Sequence, residues 1–195
     1  MKASNTLVTA LASLLLWSSA HAQVAQVGQP APELGNVTIV NHDNPSLTLA
    51  SLRGKVVILE FWATWCGPCL STAQYLDELQ QTLGDQLVVV SLSNESESRI
   101  RRFLENRPSE ALVGVYPAGL ENRYPHRAIP HGILIDRQGQ VVAIDHPMRF
   151  SAERIREVYK ASAPPRPTPV VRKAPIKLTW RQRWQQWWRR ISPRT

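Results

Sequence analysis

The chain of 195 residues contains two cysteines and carries a formal net charge of +8 at pH 7. The positive charge is concentrated in residues 163–195, which hold nine basic and no acidic side chains, whereas residues 23–162 hold 13 basic and 15 acidic ones. A nearly neutral body of this length can build an ordinary hydrophobic core, a single cysteine pair excludes a disulfide-dense scaffold, and only the C-terminal segment needs an explanation based on charge.

Residues 1–22 have the pattern of an export signal. A basic start at Lys2 is followed by an apolar run of 11 residues, Leu7–Trp17, and by the cleavage pattern Ala20-His21-Ala22. The run is shorter than the about 20 apolar residues that a transmembrane helix needs. We therefore expect export, to a bacterial periplasm, with the mature chain starting at Gln23. An uncleaved membrane anchor is the alternative.

The next segment predicts a β-extension followed by a buried strand. Residues 24–54 are polar and rich in turns, and the alternating pieces Val37–Val40 and Leu47–Leu49 predict a small N-terminal β-hairpin. Lys55–Trp62 is almost entirely apolar and rich in β-branched and aromatic side chains. That composition is typical of a strand buried on both faces of a parallel sheet.

The motif Trp65-Cys66-Gly67-Pro68-Cys69 follows this strand and contains both cysteines. A Cys-x-x-Cys pair is a redox dithiol or half of a metal site. No second cysteine pair exists to complete a zinc site, and the histidines lack ligand-like pairing: His21, His42, His126, His131 and His146. Closing so short a loop stabilises a fold by only about 2 kcal/mol, which makes a purely structural disulfide a weak interpretation. The motif therefore predicts redox chemistry, with no metal and no cofactor.

Helical and strand patterns alternate after the motif. Pro68 suits the first turn of a helix, and Gly84 ends it. Gln86–Leu92 predicts a second buried strand, and a second helix stops before Pro108. The apolar residues at helical spacing are Leu70, Ala73, Leu76, Leu79 and Leu83 in the first helix and Ile100, Phe103 and Leu104 in the second.

The last part of the body predicts a hairpin and a helix. No regular pattern is present in residues 109–131. Two strands joined by a turn are predicted at Gly132–Asp136 and Val141–Asp145. Ser151 is the predicted N-cap of a final helix. The order β-α-β-α-β-β-α indicates an α/β fold with a mixed central β-sheet flanked by helices. The irregular segment 114–128 either lines a partner groove or forms an ordinary surface loop.

The stretch from Val56 to Cys69 (VVILEFWATWCGPC) resembles the thioredoxin superfamily, and most closely its exported thiol-disulfide oxidoreductases of the TlpA/ResA type. The stretch from Ala128 to Gly139 is similar to the family's cis-proline loop and the strand and turn after it, and the lead-in Leu52–Val56 also matches. The resemblance spans roughly residues 27–160. It implies a thioredoxin-like fold and thiol-disulfide exchange.

Three residues are candidates for catalysis. Cys66 stands where a strand ends and a helix begins, a place where unpaired backbone N–H groups favour a thiolate. We expect Cys66 to attack a partner disulfide and Cys69 to resolve the mixed disulfide. Glu60 breaks an apolar strand six residues before Cys66, where the family's thioredoxins carry a buried acid that relays a proton to the second cysteine. The resemblance thus predicts Glu60 as general acid/base, with a solvent-facing Glu60 as the alternative.

The resemblance also implies a binding surface for an extended client. The Ile129–Pro130 bond is the candidate cis-proline bond, and the position of Ile129 offers backbone groups for strand addition. Trp65, Gly67 and Pro68 complete the expected substrate-binding set. His131 departs from the small or hydroxylated residue that many relatives have after the proline, and it either tunes the cysteines or fills surface. The dipeptide Gly67-Pro68 resembles that of reducing thioredoxins.

Two other functions stay open at this point. A thiol peroxidase of the related peroxiredoxin class needs a Pro and a Ser/Thr before its cysteine, where this chain has Leu59 and Ala63. A membrane-surface-binding scaffold with a non-catalytic Cys-x-x-Cys is the alternative that is not an enzyme.

The C-terminal segment divides into a Pro-rich linker, residues 163–176, and a basic, Trp-rich tail, residues 177–195. At helical spacing, an arc of about 100° contains Trp180, Trp184, Trp187, Trp188 and Ile191, which predicts an amphipathic helix on an anionic membrane surface. Packing against another protein is one alternative, and a disordered tail or nonspecific binding to polyanions is the other. The membrane-binding candidates are Trp180, Trp184, Trp187, Trp188, Arg183 and Arg190.

The expected domains are therefore a signal peptide (1–22), a thioredoxin-like domain (23–162), the linker and the tail. The expected function is reduction of disulfides in client proteins, apocytochrome c among them. The expected partners are protein dithiol or disulfide substrates, a thiol electron donor such as a membrane reductase, and an anionic membrane surface. Nucleic acid is not expected, because the chain is predicted to be exported.

Overall fold

A mixed sheet of six strands runs through residues 23–162, the part of the chain that the computed structural model describes. The predicted signal peptide, linker and tail lie outside the described residues. The strands are β1 Thr38–Ile39, β2 Val56–Phe61, β3 Leu87–Ser93, β4 Leu112–Val115, β5 His131–Ile135 and β6 Val141–Asp145. Their order across the sheet is β1-β4-β3-β2-β5-β6. The helices are α1 Gly67–Leu83, α2 Glu97–Asn106, α3 Leu120–Arg123 and α4 Ala152–Ala161. This arrangement confirms the predicted thioredoxin-like α/β class.

Strand β2 lies in the middle of the sheet, and all six of its residues are buried. It runs parallel to β3 and antiparallel to β5. Side chains alternate between the two faces of a strand, so Phe61 enters the core on one face while Ile58 and Glu60 point toward the other. The apolar run that predicted a doubly buried strand is thereby accounted for.

Helices α1 and α4 cover the face of the sheet to which Ile58 contributes. Leu76 and Leu79 of α1 and Ile155 of α4 belong to the same buried cluster as Ile58. Helix α1 ends as expected, because Gly84 has a φ of +52°, a conformation that costs glycine little.

The N-terminal segment covers the opposite face and brings two tyrosines into the core. Tyr116 and Tyr124 are buried against Phe61, with ring centroids 5.5 and 5.9 Å from it. The Tyr124 hydroxyl donates a hydrogen bond to the carbonyl of Pro32. The suggestion that segment 114–128 lines a partner groove is therefore wrong for these two tyrosines, because they pack inward.

The sequence prediction was incomplete for the N-terminal hairpin and wrong for the start of the irregular segment. Thr38 forms a single antiparallel bridge with Ser46, and Leu49–Leu52 is a 3-10 helix instead of a strand arm. Strand β1 pairs with β4, which the sequence had assigned to the irregular segment. Gly114 weakens the strand signal of β4, yet a Cβ there would lie 3.0 Å from the side chain of Ile39. The N-terminal segment thus covers the edge of β4, which would otherwise present unpaired backbone groups.

Within residues 23–162, no helix is both long enough and apolar enough to cross a membrane.

Candidate active site

Cys66 and Cys69 form a disulfide at the N-terminus of α1, with Cα atoms 5.3 Å apart. Cys66 is the N-cap of the helix, and its Sγ accepts a hydrogen bond of 3.2 Å from the backbone N–H of Cys69. Cys66 is 4% exposed and Cys69 is fully buried. When the disulfide is reduced, the N-terminal N–H groups and the helix dipole favour a negative charge on Cys66. The outer sulfur is therefore the one suited to attack.

The loop before β5 lies against this disulfide. The Ile129–Pro130 peptide bond is cis, as the resemblance predicted. The carbonyl oxygen of Ile129 lies 3.9 Å from Cys66 Sγ, although the two residues are 63 positions apart in the chain. A peptide that binds next to this loop would meet Cys66 directly.

The surface around the disulfide exposes the other predicted binding residues. Trp65 is 72% exposed, and Gly67 and Pro68 are exposed beside it, while Ile129 and Pro130 are half-buried. An indole that stays in water when the rest of the site is packed is available to a docking partner.

Glu60 is completely buried, so the alternative of a solvent-facing Glu60 is wrong. Its Oε2 accepts a hydrogen bond of 2.8 Å from Ser91 Oγ, and its Oε1 has no hydrogen-bond partner among the described residues. Burial raises the pKa of Glu60 to about 8; the Ser91 hydrogen bond opposes this, and the charge of Asp77 adds to it. A carboxyl group with this pKa can both hold and release a proton near neutral pH.

The inner cysteine is enclosed by apolar side chains. Trp62, Ile100 and Val113 form one buried cluster with Cys66 and Cys69. Cys69 is three and seven residues before Thr72 and Leu76, which are also fully buried, so all three lie on the face of α1 that is turned toward the sheet. Glu60 also points from β2 toward this layer.

Glu95 is a site residue that the sequence analysis missed. Its Oε2 accepts a hydrogen bond of 2.6 Å from the backbone N–H of Thr64, and its Oε1 accepts one of 2.8 Å from Thr64 Oγ1. Arg99 forms an ion pair with it at 3.2 Å. Partial burial acts to raise the pKa of Glu95, but the hydrogen bonds from Thr64, Arg99 and Ser93 hold it below its usual value. Glu95 therefore fixes the turn that presents Trp65 and Cys66.

His131, which directly follows the cis proline, belongs to an aromatic stack. Its ring lies 5.4 Å from that of His126, which stacks on Phe61 at 4.6 Å. Burial, and secondarily the neighbouring His126, lowers the pKa of His131. His131 is thus half-buried and packed against another ring. Within residues 23–162, no group of three or more His, Cys, Asp or Glu side chains is placed to hold a metal ion.

A match to the Redoxin family model extends over residues 26–149. The chain belongs to the Redoxin family. Among curated relatives of this redoxin, thioredoxin-like protein YneN of Bacillus subtilis is 28% identical over 120 residues, which cover 60% of this chain and 69% of the relative. Thiol-disulfide oxidoreductase ResA of Bacillus cereus is 28% identical over 128 residues, which cover 60% and 68%.

Solved structures resemble the redoxin over almost their whole length. A candidate thiol:disulfide interchange protein DsbE from Chlorobium tepidum matches with a TM-score of 0.60 and 25% identity, over 69% of this chain and 99% of that one. The exposed lipoprotein thioredoxin of Streptococcus pneumoniae matches with a TM-score of 0.54 and 28% identity, over 66% and 97%. The redoxin is therefore a TlpA/ResA-like thiol-disulfide oxidoreductase of the thioredoxin superfamily, acting on protein thiols and disulfides.

Glu60 should make the stability of the redoxin depend on pH. The pKa of Glu60 rises from an ordinary value of 4.5 to about 8 in the fold, so between these pH values the unfolded chain has released a proton that the folded chain retains. The free energy of unfolding should therefore fall as pH rises through this window, by up to roughly 5 kcal/mol at about 1.4 kcal/mol per pKa unit. Urea unfolding of the oxidised protein at pH 5 and pH 8 measures the loss.

In the variant Glu60→Gln, the free energy of unfolding should no longer fall in this way as pH rises. The control Glu78→Gln, at an exposed position of α1, should keep the pH dependence of wild type. Parallel pH profiles for wild type and Glu60→Gln would show that Glu60 does not retain its proton on folding.

Glu95→Gln should loosen the turn before Cys66. The substitution removes one charged acceptor and the ion pair to Arg99, and hydrogen bonds to charged groups contribute about 1.5–3 kcal/mol each. We expect a loss of about 2 kcal/mol in urea unfolding and a shift in Trp65 fluorescence. The matched control is Glu97→Gln, which breaks the exposed pair with Arg101 and should cost less than about 1 kcal/mol. Equal losses in the two variants would remove the special role of Glu95.

Proposed function

We propose that this oxidoreductase is exported and reduces disulfides in client proteins, with Cys66 as the attacking sulfur and Cys69 as the resolving one. The observation that carries the proposal is the position of Cys66 as N-cap of α1, 3.9 Å from the carbonyl of Ile129. This position sets the Cys66 sulfur beside the backbone of Ile129, along which an extended client can bind.

The reaction consists of two exchanges between sulfur atoms. The Cys66 thiolate attacks one sulfur of the client disulfide, the client S–S bond breaks, and the second client sulfur leaves as a thiolate that takes a proton. The Cys69 thiol then loses its proton and attacks Cys66 Sγ. This step breaks the mixed disulfide and releases the reduced client. The client has gained two electrons, the enzyme is left with the Cys66–Cys69 disulfide, and a thiol donor must reduce it again.

Glu60 is proposed to accept the proton of Cys69. It is the buried acid on the sheet layer toward which Cys69 is turned, and its free Oε1 has capacity for one more hydrogen bond. Because its pKa is about 8, the ionised fraction that can act as a base grows as pH rises toward that value. The resolving step should therefore accelerate over this range.

Clients are proposed to bind as an added strand beside Ile129, with Trp65, Gly67 and Pro68 contacting the segment that carries the disulfide. Main-chain pairing of this kind accepts many sequences, which suits an enzyme that reduces unfolded or extended clients. The resemblance to TlpA/ResA-type proteins supports apocytochrome c as one such client, and a membrane reductase as the thiol donor.

The signal-like residues 1–22 and the basic tail support a location outside the cytoplasm, at a membrane surface. An exported reductase held near the membrane would meet both a membrane-bound electron donor and newly exported clients. The anchor is proposed to be the Trp-rich face of residues 177–195, with Arg183 and Arg190 directed to anionic headgroups.

Insulin reduction with dithiothreitol as donor tests the chemistry. The full-length protein should accelerate precipitation of insulin chains, Cys66→Ser should abolish the acceleration, and Cys69→Ser should accumulate a mixed disulfide through Cys66 that mass spectrometry detects.

Glu60→Gln should slow the resolution of the mixed disulfide by 10-fold or more at neutral pH, in line with general base catalysis. It should also flatten the dependence of this step on pH. Equal activity of wild type and Cys66→Ser would contradict the proposal, and rapid peroxide consumption without any disulfide would favour a peroxidase.

Vesicle sedimentation tests the anchor. Full-length protein should sediment with vesicles that contain anionic lipid, and a truncation ending at residue 162 should stay in the supernatant. Since each basic side chain near such a surface contributes about 1 kcal/mol, Arg183→Gln with Arg190→Gln should weaken binding by roughly 10- to 30-fold. Equal sedimentation of the full-length and truncated proteins would dismiss membrane binding by the tail.

A further inference from the structure

A groove of about 440 Å³ opens where α2 meets the turn that carries the redox pair. It is lined by Thr64, Ser96, Ser98, Arg99, Arg102 and Phe103. Positions three and four residues apart share one face of a helix, so the two arginines and the phenylalanine form one stripe of α2. Thr64, two residues before Cys66, lines the groove from the redox turn. None of the six lining side chains is acidic.

The groove offers positive charge that the protein itself does not neutralise. Arg102 is exposed and forms no ion pair with another side chain in the described part of the chain. Arg99 contacts Glu95 through one nitrogen, which leaves other N–H groups of its guanidinium for a ligand. The carboxylate of Glu95 also accepts hydrogen bonds from Thr64 and Ser93, so its negative charge is already shared among several donors.

Phe103 adds an apolar wall to the groove. Its side chain is half-buried, and its ring lies 5.4 Å from that of Trp62, which is buried behind it. A ring next to two guanidinium groups suits a peptide side chain with an apolar stem and a carboxylate at its tip. Arginine is well matched to such a group, because its fork of N–H donors can bind both carboxylate oxygens.

The sheet topology places the groove and the cis-proline loop on opposite sides of the redox pair. Helix α2 connects β3 to β4, on one side of β2, whereas the loop with Ile129 enters β5 on the other side. Cys66 follows β2 and lies between them. A client whose disulfide meets Cys66, with one flank along Ile129, therefore directs its other flank toward the groove.

We propose that this groove binds acidic residues next to the disulfide of a protein client, so that the enzyme prefers clients with carboxylates at that position. The inference rests on the proposed function, the reduction of client disulfides through Cys66. The chain's own tail is not a suitable occupant, because residues 163–195 carry nine basic and no acidic side chains. Complementary charges of this kind speed association and select partners.

Two synthetic peptides with a disulfide test the preference. Both contain the same intramolecular Cys-x-x-Cys disulfide, flanked on each side by two glutamates in one peptide and by two glutamines in the other. Full-length protein, reduced beforehand, is mixed with each peptide, and its rate of oxidation is divided by the rate at which dithiothreitol reduces the same peptide. At low ionic strength this normalised rate should be about 5-fold higher for the glutamate peptide. The difference should largely disappear in about 1 M salt, where the Debye length is about 3 Å.

Variants of Arg102 assign the preference to the groove. Arg102→Gln should lower the ratio of the two normalised rates about 3-fold, in the range expected for one exposed charge pair, and Arg102→Lys should keep most of the ratio because it keeps the charge. The matched control Arg156→Gln removes one charge from an exposed position of α4 and should leave the ratio as in wild type. A ratio near 1 in wild type, or equal ratios in wild type and Arg102→Gln, would overturn the inference.

A binding measurement separates the groove from the redox chemistry. In oxidised full-length protein, a glutamate peptide without cysteines should shift the NMR amide signals of Thr64, Ser98 and Arg102, and its glutamine counterpart should not. If wild type reduces neither disulfide peptide, the proposed function fails, and these shifts alone decide the inference. The same shifts with inorganic phosphate at equal concentration would indicate a site for small anions and would overturn the preference for acidic clients.

Discussion

The antiparallel pairing of β2 with β5 is the constraint on which the site depends. Its register places Phe61 opposite His131. Phe61 is the last residue of β2, just before the loop that carries Cys66, and His131 is the first residue of β5, just after the cis proline. Pairing these two strand ends sets the two loops side by side, so that the carbonyl of Ile129 meets Cys66 Sγ. A slip of one residue in this register would turn each paired side chain to the other face and separate the loops.

The same register accounts for the buried acid. Glu60 stands between Ser91 on β3 and Gly132 on β5. Gly132 has no side chain to offer, and a Cβ there would lie 2.8 Å from the ring of Phe150, so the serine is the one neighbour in the sheet that bonds to the carboxyl group. One neutral hydrogen bond does not compensate for lost hydration of a charge, which is why the pKa of Glu60 rises. An acid that stays protonated in the fold is costly for stability, and the same raised pKa is what the proposed proton transfer by Glu60 requires.

Two further contacts hold the reactive turn while leaving Trp65 exposed. Glu95, just before α2, accepts hydrogen bonds from the backbone N–H and the hydroxyl of Thr64. The backbone N–H of Cys66 donates a hydrogen bond of 3.1 Å to the carbonyl of Ala63. Trp65 stands at the top of this turn, anchored through its backbone neighbours. The backbone of the turn is therefore held by hydrogen bonds while the side chain of Trp65 stays exposed. A turn that is already held in place loses less conformational entropy when a partner binds.

The sequence by itself determined the features that depend on short spacing: the redox pair, the helix that follows it up to Gly84, the apolar strand β2 and the final hairpin. Such features follow from periodicity and turn residues within about ten positions. The cis bond at Pro130 was predicted only through resemblance to a family. Glu60 leaves a local signal, a carboxyl group in an apolar strand, but its catalytic role was predicted through the same resemblance. What only the tertiary structure decided are contacts between distant segments, such as Glu95 with Thr64 across 31 positions, the pairing of β1 with β4, and the groove beside α2. Chain folding brings these groups together through the register and packing of whole elements, and the residues concerned carry no pattern that marks their partners beforehand.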